Sequence, residues 1–103
     1  MAGSETSPRP FDVAAYLRTP EDAAAYLSAA LEENDPAAFR RALGDLARAR
    51  SMAAVAEASG LGRESLYKAL SQAGNPSLDT VQRVVSALGL TLAVLPAAPT
   101  ADP

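Results

Sequence analysis

Residues 52–71, MAAVAEASGLGRESLYKALS, constrain the fold more than any other stretch of the chain. Two short helical patterns flank Gly60, and Ala56 stands four positions before that glycine. Where one helix crosses closely over another, the residue beneath the crossing must be small. The turn between them needs a backbone of positive φ, which glycine adopts without a Cβ clash. Val55, Leu61, Leu66 and Ala69 then bury the inner surface of a helix-turn-helix. Its first helix covers residues 52–58 and its second 63–71. The outer face of the second helix carries Arg63, Glu64, Tyr67 and Lys68, the face such a motif inserts into the major groove of DNA. The same pattern also fits an αα-hairpin in a small helical protein, since small residues occur at any close helix crossing.

Composition narrows the chemistry. A chain of 103 residues suits one compact domain with an adequate core. It has no cysteine and no histidine, which removes disulfides, thiolate metal sites, the commonest general base and the commonest zinc ligand. No nucleophile–base constellation, paired-carboxylate pattern or phosphate-binding loop stands out, so the chain is expected not to be an enzyme and to need no cofactor or metal. No apolar run reaches the length of a membrane span, and MAGSETSPRP does not read as a signal peptide. The expectation is a cytoplasmic protein. Abundant alanine and few aromatics favour helices packed through small side chains.

The net charge of −3 argues against nucleic acid until its distribution is considered. Residues 1–35 hold two basic and seven acidic side chains, whereas residues 36–95 hold seven basic and four acidic ones. The part containing the motif is mildly basic and the N-terminal part distinctly acidic. That asymmetry suggests two different surfaces. Solvated acids at helix starts, such as Glu21 and Asp22, explain part of it equally well.

Along the chain, residues 1–10 are polar with two prolines and read as a disordered tail. Phe11–Leu17 can form one or two helical turns. Thr19-Pro20-Glu21-Asp22 is a strong helix start: a capping hydroxyl, a proline at the first helical position and acids at the positive end. Ala23, Tyr26, Leu27, Ala30 and Leu31 form that helix's apolar stripe. Asn34-Asp35-Pro36 ends it and starts the next, which runs to about Arg50 with Phe39, Ala42, Leu43, Leu46 and Ala49 inward. Ser51 caps the first helix of the motif. Residues 72–76 are a loop, and Ser77 caps a helix with Val81, Val84, Val85 and Leu88 at helical spacing, stopped by Gly89. Residues 90–95, LTLAVL, read as a short strand. It has no partner strand in this chain, so the same strand of a second copy is the expected partner across a dimer. Residues 96–103 read as a disordered tail.

On the second helix of the motif, Arg63 is long enough to read a guanine bidentately, and Lys68 reaches a base or phosphate one turn later. Tyr67 can touch a thymine methyl or a phosphate. Glu64 can accept from cytosine, orient Arg63 or Lys68, or simply pair with Lys68 at i,i+4. Ser51 with the first amides of its helix, and Asn75 and Ser77 beyond the second helix, can hold phosphates. Capping and turn chemistry alone explain these three residue types equally well.

The stretch from about Leu43 to Leu90, with VAEASGLGRESLYKAL and then GNPSLDTVQRVVSALGL, resembles the Cro/C1-type (Xre-like) helix-turn-helix domain. Residues 11–95 as a whole resemble the probable addiction-module antidote proteins, antitoxins of type II toxin–antitoxin operons. FDVAAYL, EDAAAYLSAALEENDPAAFRRALGDLARAR and ESLYKALSQAGNPSLDTV are the matching pieces. The resemblance implies an all-α, lambda-repressor-like domain of five to six helices spanning 11–95. It implies a homodimer that binds double-stranded operator DNA, represses its own operon and neutralises a RelE/HigB-like ribonuclease toxin. Arg63, Glu64, Tyr67 and Lys68 fall on recognition-helix positions, and Asn75 and Ser77 in the loop that follows. Gly62 departs from the family pattern, in which a serine cap is more usual. The acidic N-terminal part is a sensible surface for a basic toxin. Two other readings stay open at this point: a plain repressor without a toxin, and a helical interaction module that no longer binds DNA.

Overall fold

The computed structural model describes Leu17 and residues 19–97. The N-terminal tail at 1–10, most of the Phe11–Leu17 segment and residues 98–103 lie outside the described residues. Five helices follow in order: α1 Pro20–Glu32, α2 Pro36–Arg50, α3 Met52–Ser59, α4 Arg63–Ala69 and α5 Leu78–Ala87.

Local chemistry sets most of the helix starts. Thr19 Oγ1 accepts from the Asp22 amide at 3.1 Å and Asp35 Oδ1 from the Ala37 amide at 3.0 Å. Ser51 Oγ accepts from the Ala54 amide at 3.1 Å, and Ser77 Oγ from the Thr80 amide at 3.1 Å. Each such cap stabilises its helix by about 1 kcal/mol. Pro20 and Pro36 occupy the first helical positions, where a missing N–H is harmless. Gly62 begins α4 without a side-chain cap.

α1 packs on α2, and α3 packs on α2, α4 and α5. The core gathers Leu27 and Ala30 from α1, Leu43, Leu46 and Ala47 from α2, Val55 and Ala56 from α3, Leu66 from α4, and Val84 and Val85 from α5. Leu43, Leu66 and Val84 are wholly excluded from solvent. Truncating either leucine to alanine would cost about 2–5 kcal/mol in lost transfer energy and cavity. Tyr26 ties α1 to α2 with a polar contact: its hydroxyl donates to Asp45 Oδ2 at 2.8 Å, while Arg48 holds Asp45 Oδ1 at 2.9 Å. The Tyr26 phenol is pushed up to about 12, first by burial and then by its hydrogen bond to Asp45 and that carboxylate's charge.

Several sequence expectations need correction. Leu31 lies on the expected α1 stripe but is half exposed, because the stripe turns off the α2 contact near the end of α1. Ala49, expected inward on α2, faces solvent. α4 ends at Ala69 rather than residue 71, and Leu70 just beyond it is buried. Residues 90–95 form no strand, and none occurs among the described residues. A ladder requires a second backbone alongside, and no described segment of this chain lies there. Leu90 and Leu92 lean on the core instead, while Val94 and Leu95 stay 98% and 79% exposed.

Candidate functional site

The turn between α3 and α4 is built from three residues, Gly60, Leu61 and Gly62. Gly60 has φ 77°, the left-handed conformation expected of it, and its amide donates to the Glu57 carbonyl. The buried Ser59 closes the turn from inside: its hydroxyl donates to the Ala56 carbonyl and accepts from the Leu61 amide. Arg83 of α5 reaches across to the Ser59 carbonyl at 3.4 Å while holding Asp79 at 3.0 Å. A cation at the carboxyl end of α3 also complements that helix's negative pole. Leu66 anchors α4 from below, with no exposed surface of its own. Together these contacts fix the direction in which the opposite face of α4 points.

That opposite face carries Arg63, Glu64, Tyr67 and Lys68, all exposed, with Tyr67 at 48%. Ion pairs among the described residues are Arg48–Asp45 and Arg83–Asp79. Glu64 and Lys68 therefore do not pair. Arg63 and Lys68 make no hydrogen bond or ion pair with another described residue. Other arginines are committed: Arg40 donates to the Gln72 carbonyl at 2.7 Å, and Arg50 to the Leu88 carbonyl at 3.2 Å. Two cations and a tyrosine on one helical face can meet an anionic surface without breaking an ion pair among the described residues.

The other sequence candidates sit differently. Ser51 joins α2 directly to α3, with φ 140°, a conformation an L-residue rarely adopts. Its oxygen is engaged in the α3 cap, though its hydroxyl proton remains able to donate. The Ser77 hydroxyl accepts from the Thr80 amide and donates to Thr80 Oγ1 at 3.2 Å, so both of its functions are used in capping α5. Asn75 is exposed in the loop after α4. It lines a groove of about 400 Å³ with Leu31, Asn34 and Phe39. The loop itself folds tightly back on α4. Gly74 approaches so closely that a Cβ there would stand 2.6 Å from the Lys68 carbonyl oxygen. Sequence reasoning missed this contact, the arginine anchors and the groove, because each joins residues far apart in the chain.

No group of three or more acidic side chains suited to a metal ion occurs among the described residues. No described helix is long and apolar enough to cross a membrane.

Comparison with known proteins places this arrangement in a family. The sequence profile of the family described as probable addiction module antidote protein matches residues 7–96, nearly the whole chain. An uncharacterised protein of Haemophilus influenzae is 46% identical over 84 residues, covering 82% of this chain and 87% of that one. No solved structure matches. An antidote implies a cognate toxin, and the profile spans all five helices described above. The chain thus belongs to the family of probable addiction module antidote proteins.

Proposed function

We propose that this chain is the antitoxin of a type II toxin–antitoxin module and binds operator DNA through α3 and α4, read as a Cro/C1-type helix-turn-helix. Family membership supports the antitoxin role. The DNA-binding part rests on one observation above the rest: Arg63 and Lys68 are exposed beside Tyr67 on the outer face of α4 and pair with no described residue. In this reading Arg63 reads a guanine, Tyr67 and Lys68 contact a base or phosphate, and Glu64 accepts from a cytosine or orients its basic neighbours. Ser51 and Asn75 contact phosphates on either side, while the Ser77 hydroxyl, used in capping, fixes the start of α5 beside them.

The active form is a cytoplasmic homodimer that places two α4 helices in successive major grooves and represses its own operon. Pairing between copies is assigned to the end of the 90–95 segment, where Val94 and Leu95 are exposed apolar residues. The toxin is a RelE/HigB-like ribonuclease, neutralised by steric cover with no chemistry from this chain.

Fluorescence anisotropy with the operon's own promoter DNA tests the DNA-binding part. Arg63→Ala should weaken binding by about 1–3 kcal/mol and relax the preference at one base pair. Wild-type affinity should fall steeply with salt. Promoter binding unchanged by Arg63→Ala would remove base reading from Arg63.

A further inference from the structure

A groove of about 400 Å³ lies where the α1–α2 junction meets the loop after α4 and the start of α5. Its lining is largely apolar: Leu31, Pro36, Phe39, Leu43 and Val81. That volume and apolar lining are ordinary for a binding pocket, with ample room for one large side chain. Leu31 forms its outer wall and is 50% exposed, so apolar surface on the wall is open to an occupant. Arg40 also lines it, its guanidinium tied to the Gln72 carbonyl at 2.7 Å.

Arg40 is the basic residue of the groove itself, and the charge at its α1 rim is acidic. Glu32 and Glu33 close the carboxyl end of α1, with Asp35 just beyond, and the last turn of α1 has no basic residue. Acids there oppose the helix dipole, whose negative pole lies at that end. Among the described residues Glu32 and Glu33 make no ion pair to offset this. An unfavourable local charge beside an open apolar groove suits a cationic partner that relieves the repulsion while filling the groove.

We infer that this groove is the docking site for a basic partner protein, which inserts one large apolar side chain against Leu31 and Phe39 and sets basic residues against Glu32 and Glu33. The inference rests on the antitoxin reading, in which that partner is the toxin. It assigns toxin binding to the α1–α2 end of the domain and leaves the outer face of α4 to DNA.

The test uses the full-length chain and the purified product of the adjacent operon gene, titrated by calorimetry. The variants are Leu31→Asp and the double change Glu32→Lys with Glu33→Lys. All three positions are exposed, and circular dichroism melting confirms that each variant folds. Each should bind at least about tenfold more weakly than wild type, as expected of a hot spot or a complementary charge cluster. Arg63→Ala should bind the partner normally. Folded variants that bind the partner like wild type would overturn the assignment. So would a change from dimer to monomer in Leu31→Asp by sedimentation, which would make the groove a self-interface. A wild-type chain that does not bind the neighbour at all would instead overturn the antitoxin reading, and this inference with it.

Discussion

Ser51 carries two opposing contributions that substitution can separate. Its side chain caps α3 through the Ala54 amide, and its backbone stands at φ 140° so that α2 can turn into α3 in a single residue. Losing the hydroxyl in Ser51→Ala removes the cap, worth about 1 kcal/mol, and leaves a Cβ in the same strained conformation. Ser51→Gly also loses the hydroxyl, but glycine adopts this φ freely and itself serves tolerably at a cap. Relief of about 1–3 kcal/mol of strain is offset by about 0.4–1 kcal/mol of extra unfolded-state entropy. The glycine variant should therefore be more stable than the alanine variant by about 1–2 kcal/mol. In thermal denaturation the two should differ by about 4–16 °C, at 4–8 °C per kcal/mol for a domain this small. An alanine variant as stable as the glycine one would refute the strain argument. Promoter binding measured on the same pair addresses the second role: if the hydroxyl donates to a phosphate, both variants lose affinity equally despite their different stabilities.

Gly74→Ala should destabilise the fold by about 3 kcal/mol or more, because the added methyl meets backbone at Lys68 and Ala69 that cannot rotate away; urea denaturation measures it. Tyr26 gives a pH signature. Its folded pKa of about 12 lies above the ordinary value of 10.0, so the contribution is fully present below pH 10. It is lost as pH rises from 10 toward 12, where the unfolded chain ionises first. Ultraviolet titration should show one tyrosinate appearing late, and Tyr26→Phe should abolish that late step. Val94→Asp leaves Leu90 and Leu92 on the core but places a charge in the proposed intermolecular contact. Sedimentation should then report a shift from dimer to monomer, and an unchanged dimer would place the interface elsewhere.

Helix starts were legible in the sequence because capping is chemistry within four residues: Thr19, Asp35, Ser51 and Ser77 all make the amide contacts their positions imply. Gly60 was legible for the same reason, since a left-handed turn residue advertises itself by lacking a Cβ. The core stripes of α3 and α5 followed from spacing. Leu31 did not, because periodicity tells which residues share a face and not where the neighbouring helix stops covering it. The 90–95 segment has the composition of a strand, but a strand is a property of two backbones and one chain supplies only one. On the candidate site, sequence placed Arg63, Glu64, Tyr67 and Lys68 on one exposed face. Whether those cations were free was hidden, for it depended on Glu64 not pairing with Lys68. The Arg40–Gln72 and Arg83–Ser59 contacts, and the groove beside Leu31, join distant positions through geometry that no local pattern encodes.

Co-purification reaches the central claim most directly. The tagged chain is co-expressed with its immediate operon neighbour, and the eluate is tested on the operon's promoter DNA. The account predicts a stable complex of the two proteins that also shifts the promoter. Promoter binding without a co-purifying neighbour would leave a plain repressor. A folded chain that captures neither would contradict the account, reducing α3 and α4 to scaffolding.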